Sequence, residues 1–274
     1  MSTRYELLPF GAAEAEAQAA PRSLTVTVTC SPRHGLDHSV ATAERLAALG
    51  HTIVLHVAAR TVRDAAHLDA TLARLARAGI DEVFVIAGDG PEPLGEYGSA
   101  LDLLPELDAH PRRPRRIGIG AYPEGHPLID DAALDAALRR KAQVADYMTT
   151  QICFDTKALL RWIEATRAAG ITLPLHVGLP GAVDRRHLLE VSMRVGVGAS
   201  ISFVRKQRGL RHLLGRPDHA ADRLYTAFAP LVGDPALGIE SLHFYTFNRL
   251  LATLAWEDER GAVMPARHRE ANDA

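Results

Sequence analysis

Residues 65–89 read AAHLDATLARLARAGIDEVFVIAGD, and the stretch contains one complete turn of the pattern that decides the fold. Ala65, Leu68, Leu72 and Leu75 recur at helical spacing with arginines elsewhere, which lays one apolar stripe along a helix. At Ala78-Gly79-Ile80-Asp81 the period breaks. A glycine there can take the left-handed conformation that caps the last helical carbonyls before the chain straightens. Glu82–Ile86 then reads as a short buried strand, and Gly88-Asp89 stands at its carboxyl end.

The same joint recurs at Leu49-Gly50-His51-Thr52, Ala169-Gly170-Ile171-Thr172 and Leu237-Gly238-Ile239-Glu240. Strands are predicted at Leu24–Cys30, Thr52–Val57, Glu82–Ile86, Arg116–Gly120, Tyr147–Ile152, Leu173–Val177 and Ser241–Thr246, with a weaker one near Ala199–Val204. Alternating strands and helices predict an α/β protein with a parallel sheet. Seven or eight such units fit a closed (β/α)8 TIM-type barrel better than an open Rossmann-like sheet. Neither GxGxxG after the first predicted strand nor GxxxxGK[ST] anywhere supports the open alternatives. The reading is a single barrel domain over residues 23–257, an N-terminal extension over 1–22 that is acidic and rich in alanine, and a charged tail over 258–274.

At 274 residues and 47% hydrophobic content the chain is long enough for one large core. Its net charge of −2, with lysines and arginines scattered, offers no basic face for a nucleic acid and points to a small-molecule partner. Cys30 and Cys153, far apart in strand-like runs, read as reduced buried thiols. No apolar leader or membrane-length run occurs, so a cytoplasmic protein is expected. The thirteen histidines form no compact ligand set, and no metal is assigned. There is no GxSxG elbow to support a serine nucleophile.

In a barrel the site is built from the loops at the carboxyl ends of the strands. Those ends deliver Ser31-Pro32-Arg33, His56, Gly88-Asp89, Tyr122-Pro123-Glu124-Gly125-His126, Gln151 with Asp155, and Asn248-Arg249. Singly, each has a plainer reading: Asp89 as a turn residue, Asp155 as a helix N-cap, His56 and His126 as hydrogen-bonded structural groups, and Asn248-Arg249 as a strand-to-helix joint.

Taken in order, Ser31-Pro32-Arg33, Gly88-Asp89, Ala121-Tyr122-Pro123-Glu124-Gly125-His126-Pro127, Thr150-Gln151-Ile152-Cys153-Phe154-Asp155 and His243-Phe244-Tyr245-Thr246-Phe247-Asn248-Arg249 resemble the methylenetetrahydrofolate reductase family. The motifs run from about Leu24 to Leu250, and the stretches beginning at Ala121 and His243 are the specific ones. The resemblance implies a barrel that passes a hydride from NADH or NADPH, through FAD or directly, to 5,10-methylenetetrahydrofolate, giving 5-methyltetrahydrofolate. It implies that Asp89 stabilises the cationic 5-iminium acceptor and that Gln151 reads the pterin edge, with Arg249 also on the substrate side. It places His56, Gly88, Asp89, Tyr122 and His126 against the cofactor and gives its diphosphate to Arg140 and Lys141.

The chain departs from the pattern at three places. The family carries a Glu in a Glu-Phe-Phe-Pro-Pro run at the end of its first strand, the proton donor that opens the imidazolidine ring. Aligning Pro32-Arg33 puts Val28 there, with Glu124 as the candidate substitute. Ala87 and Ala137 stand where an Arg and an Asn are usual. A missing acid leaves two further readings, a tetrahydrofolate-dependent methyltransferase or demethylase and a noncatalytic folate- or flavin-binding subunit.

Overall fold

The computed structural model describes residues 3–89, 92–126, 128–153, 155–182 and 218–263. Eight parallel strands close in sequential order into a barrel. They are β1 (Thr3–Leu7), β2 (Thr25–Val28), β3 (Thr52–Ala58), β4 (Glu82–Ile86), β5 (Arg116–Ala121), β6 (Tyr147–Thr150), β7 (Leu175–Pro180) and β8 (Ile239–Tyr245). The helices described between and after them are α1 (Ala13–Gln18), α2 (Gly35–Ala48), α3 (Ala65–Arg77), α4 (Ala100–Ala109), α5 (Asp131–Lys141), α6 (Thr156–Ala168), α7 (Asp218–Phe228) and α8 (Leu250–Val263).

The TIM-type barrel is therefore observed, and the strand that completes it is one that local sequence does not reveal. Residues 1–22 are not an extension: they carry β1, which hydrogen-bonds β2 on one side and β8 on the other, and α1. Arg4 and Glu6 face the lumen while Tyr5 and Leu7 face the helices, so charged residues that read as part of an extension are largely withdrawn from water by closure of the barrel. Nor does the chain turn into a tail at residue 258, because α8 continues to Val263. The weak strand expected near Ala199–Val204 lies outside the described residues.

All four joint glycines take positive φ, Gly50 at 88°, Gly79 at 70°, Gly170 at 84° and Gly238 at 62°. Three stand just past helix ends, as predicted. Gly238 instead closes a turn in which the Asp234 carboxylate accepts from the Ala236 and Leu237 amides. Asp64 and Asp155 cap α3 and α6, each accepting a backbone N–H of the first turn.

The apolar core lies between the strands and the surrounding helices, where Val26, Val28, Leu55, Val57, Ile117, Ile119 and Phe244 are almost fully buried. The lumen is different. Barrels of this kind usually fill it with branched apolar side chains, but here Arg4, Glu6, Thr27, His56, Tyr147, Thr149, His243 and Tyr245 line a small internal cavity together with Val54 and Phe84. Tyr147 lies across the lumen because position 118 has no side chain; a Cβ there would sit 2.1 Å from the Tyr147 Cζ.

Candidate active site

β1 ends in Glu6-Leu7-Leu8-Pro9 and delivers Glu6 into the upper lumen. Two imidazoles flank its carboxyl group: His243 Nε2 of β8 stands 3.6 Å and His56 Nε2 of β3 3.8 Å from Glu6 Oε2. Burial pushes the Glu6 carboxyl up to about 7, with His56 pulling weakly the other way. Burial also holds both imidazoles down, His56 to about 4 and His243 to about 3. All three groups are thus neutral just below pH 7. A carboxylic acid that keeps its proton to that pH is suited to general-acid work.

Sequence reasoning missed Glu6, and with it the acid at the end of the first strand. The strand beginning at Leu24 is the second, so Val28 was never the counterpart of the family's Glu; Val28 faces the helix layer and is fully buried there. The signal was present in Glu6-Leu7-Leu8-Pro9, which keeps the Glu, two apolar residues and the first Pro of the Glu-Phe-Phe-Pro-Pro run. Glu124 does other work, its Oε1 accepting from the Asp155 amide at 2.7 Å. That bond ties the loop after β5 to the N-terminus of α6.

At the barrel mouth, Asp89, Tyr122 and His126 come together. The Tyr122 and His126 rings meet edge to face at 5.3 Å, and the exposed Asp89 carboxylate acts electrostatically on both. Burial raises the Tyr122 phenol, Asp89 adding to the effect, while burial lowers the His126 imidazole against the pull of Asp89. Gly88, at φ 91°, brings the end of β4 against β3, where a Cβ would lie 3.0 Å from that of Ala58. Tyr245 joins the mouth to the lumen. Its hydroxyl donates to the Thr150 carbonyl at 2.9 Å, and burial, Glu6 and Tyr122 are among the causes that raise it well above its usual value. Gln151, half-buried at the end of β6, donates its backbone N–H to the Ala121 carbonyl and accepts from the Ile152 backbone N–H at its side-chain Oε1, 2.9 Å away.

The other carried-over residues lie on separate elements. Arg140 is exposed on α5 and Arg249 is exposed just before α8. Lys141 turns its ammonium to the Gly120 carbonyl at 2.9 Å, and burial lowers it to about 8. His56 is packed on Phe84 inside the lumen, ring centroids 4.8 Å apart, and is buried there. Lys141 thus bonds the same strand position, Gly120, that the Tyr122 ring packs against, while Ala87 and Ala137 add no polar side chain. Among the described residues no group of three His, Cys, Asp or Glu side chains is arranged to hold a metal ion, and no helix is long and apolar enough to cross a membrane.

Comparison with known proteins gives a consistent family. A family model described as methylenetetrahydrofolate reductase matches residues 12–191, beginning after β1. Methylenetetrahydrofolate reductase 1 of Schizosaccharomyces pombe is 27% identical over 210 residues, 66% of this chain and 31% of that protein. Methylenetetrahydrofolate reductase (NADH) 1 of Zea mays is 29% identical over 130 residues, 41% of this chain and 22% of that protein. The chain thus spans a third or less of the length of these relatives. Among solved structures, an uncharacterised protein from Clostridium thermocellum that binds two copies of 5-methyl-5,6,7,8-tetrahydrofolic acid superposes with a TM-score of 0.65 at 12% identity, covering 96% of this chain and 95% of that one. At that identity the likeness establishes the fold.

Proposed function

The chain belongs to the methylenetetrahydrofolate reductase family, and on that premise we propose that it reduces 5,10-methylenetetrahydrofolate to 5-methyltetrahydrofolate with a hydride from a reduced nicotinamide dinucleotide, NADH by preference. The observation that carries the reading is Glu6, a buried acid that keeps its proton to about pH 7 at the carboxyl end of the first strand.

In this reading Glu6 protonates the bridging nitrogen of the imidazolidine ring. The bond from that nitrogen to the one-carbon unit breaks, its electron pair leaving with the protonated nitrogen, and the 5-iminium cation remains. The Asp89 carboxylate stabilises that cation more than the neutral substrate. Hydride addition to the iminium carbon gives the methyl group. Gln151, whose Oε1 is held by the Ile152 amide, presents its NH2 end to an acceptor on the pterin. Tyr122 and His126 supply ring faces and edges for a planar ligand above the barrel. The hydride passes directly from the nicotinamide, since Ala87 and Ala137 leave out two polar side chains usual at the family's flavin.

The methyltransfer and noncatalytic readings were motivated by an absent acid, and Glu6 removes that motive. The decisive experiment is anaerobic incubation of the purified chain with NADH or NADPH and methylenetetrahydrofolate, with and without added FAD. Formation of 5-methyltetrahydrofolate matched by nicotinamide oxidation is expected without FAD. Absence of product under every condition refutes the activity, and product only with FAD refutes direct transfer.

A further inference from the structure

The backbone pairing of β1 with β8 runs from Thr3 and Leu242 to Glu6 and Tyr245 and stops there. Past that point two side chains of the turn between β8 and α8 take over. The fully buried Thr246 donates through Oγ1 to the Glu6 carbonyl at 2.5 Å. Asn248 commits its whole amide to the residues that follow: Oδ1 accepts from Leu8 N at 2.8 Å, and Nδ2 donates to Leu8 O at 3.2 Å and to Phe10 O at 2.7 Å. A residue inside a ladder bonds its neighbour strand through both N–H and C=O. Leu8 does so with one side-chain amide, so Thr246 and Asn248 carry the ladder on beyond the strand.

The turn that aims these two side chains is an unfavoured one. Arg249 N bonds back to Thr246 O at 2.9 Å, and the two residues between them, Phe247 and Asn248, have φ of 50° and 60°. Positive φ at both central positions is the mark of a type I′ turn, which Gly and Asn adopt readily and a bulky residue such as Phe does not. These are the two non-glycine residues with positive φ among the described residues. Such strain persists where the surroundings over-determine it, and it clusters at functional sites.

What this turn holds is the main chain that carries Glu6. His243 Nε2 and His56 Nε2 stand 3.6 and 3.8 Å from Glu6 Oε2, beyond hydrogen-bond reach, so neither imidazole pins the carboxyl. Tyr245 of β8, Arg4 of β1 and Tyr147 of β6 line the same cavity. The place of the carboxyl is therefore set chiefly by its backbone. On the premise that Glu6 is the acid of the proposed reaction, we propose that Thr246 and Asn248 are positioning residues that fix the Glu6 main chain and so the reach of its carboxyl toward the substrate. A proton donor works only within hydrogen-bond reach of the atom it serves, and a displacement of about 1 Å can lower turnover on the order of 10²-fold. The other edge of β1 is held independently, Thr29 N donating to Leu7 O at 3.0 Å and His38 Nε2 meeting Pro9 O at 2.5 Å. Removing the Thr246 and Asn248 bonds thus frees one side of the strand end and leaves the other bound.

The test uses three variants of the full chain. Thr246→Val exchanges the hydroxyl for a methyl group of similar size, Thr246→Ser restores the donor, and Asn248→Gly removes the amide while suiting positive φ. The readouts are kcat and KM for methylenetetrahydrofolate, and the Glu6 carboxyl followed by 13C NMR across pH. Turnover should fall about tenfold in Thr246→Val and on the order of 10²-fold in Asn248→Gly, with KM changed far less. In both, the loosened carboxyl gains water and its midpoint should fall by at least about one pH unit, tenfold in proton affinity; Thr246→Ser should return both readouts to native values. A latch that only stabilises the fold would lower the urea midpoint and move neither readout. Native kcat, or an unmoved Glu6 midpoint, in Thr246→Val and Asn248→Gly overturns the proposal. Should Asn248→Gly not fold, Thr246→Val and Thr246→Ser decide by the same readouts. If the native protein forms no methyltetrahydrofolate, the proposed activity fails, and the Glu6 midpoint alone still decides whether this turn positions the carboxyl.

Discussion

Replacing Glu6 with Gln should separate the chemistry of this carboxyl from its effect on folding. The side chain is nearly isosteric, so the change removes the ionisable proton and little else. Glu6 titrates at about 7 in the fold against 4.5 for the ordinary side chain, which corresponds to roughly 3 kcal/mol between the protonated and ionised forms. The sign comes from the raised value. Below pH 4.5 both folded and unfolded chains carry the proton, and native protein and variant should be close in stability. Between 4.5 and 7 the unfolded chain releases it and the folded chain does not, so the native protein loses ground as pH rises. Above 7 the loss levels off, and Glu6→Gln should be the more stable by up to about 3 kcal/mol. Urea unfolding of both proteins at a series of pH values reads the difference. Turnover should fall on the order of 10²- to 10⁴-fold in the variant, the usual contribution of a positioned acid. Parallel stability curves from pH 4.5 to 8 would refute the burial argument, and unchanged turnover would refute the assignment of the acid.

Gly118→Ala should force the Tyr147 ring out of the lumen, because the new Cβ would lie 2.1 Å from its Cζ; a cost of about 1–3 kcal/mol or more in the denaturation midpoint is expected. Asn248→Ala removes the latch that bonds Leu8 N at 2.8 Å, Leu8 O at 3.2 Å and Phe10 O at 2.7 Å, and it places Ala at φ 60°. Loss of roughly 3 kcal/mol is expected, with faster proteolysis at the end of β1. Asp89→Asn should lower turnover on the order of 10²-fold by removing the charge proposed to stabilise the iminium. The same variant should shift His126 further down, since the Asp89 charge favours the imidazolium; an unmoved His126 signal would contradict the geometry of the mouth.

Apolar spacing within Ala65–Arg77, the glycine joints and the short β-rich runs are local features, and each is set by the preferences of residues close in the chain. They were enough to place seven of the eight strands, the barrel and the polar residues at the strand ends. The family resemblance was legible for the same reason, because its motifs are continuous. Three things required the closed barrel. Arg4 and Glu6 look like surface charges until β8 and β2 flank them, since charge normally signals exposure and only the curvature of the sheet turns this face inward. The Glu6, His56 and His243 cluster draws on residues up to 237 positions apart in the numbering, and the value of each group depends on burial that no local window records. Arg140 and Lys141 are adjacent in sequence but diverge on the helix, one outward and one to the Gly120 carbonyl, because successive helical residues point about 100° apart. Local preference alone settles which residue types arrive at the barrel. Closure of the sheet settles which of them lose water, and the loss of water is what makes Glu6 an acid at neutral pH.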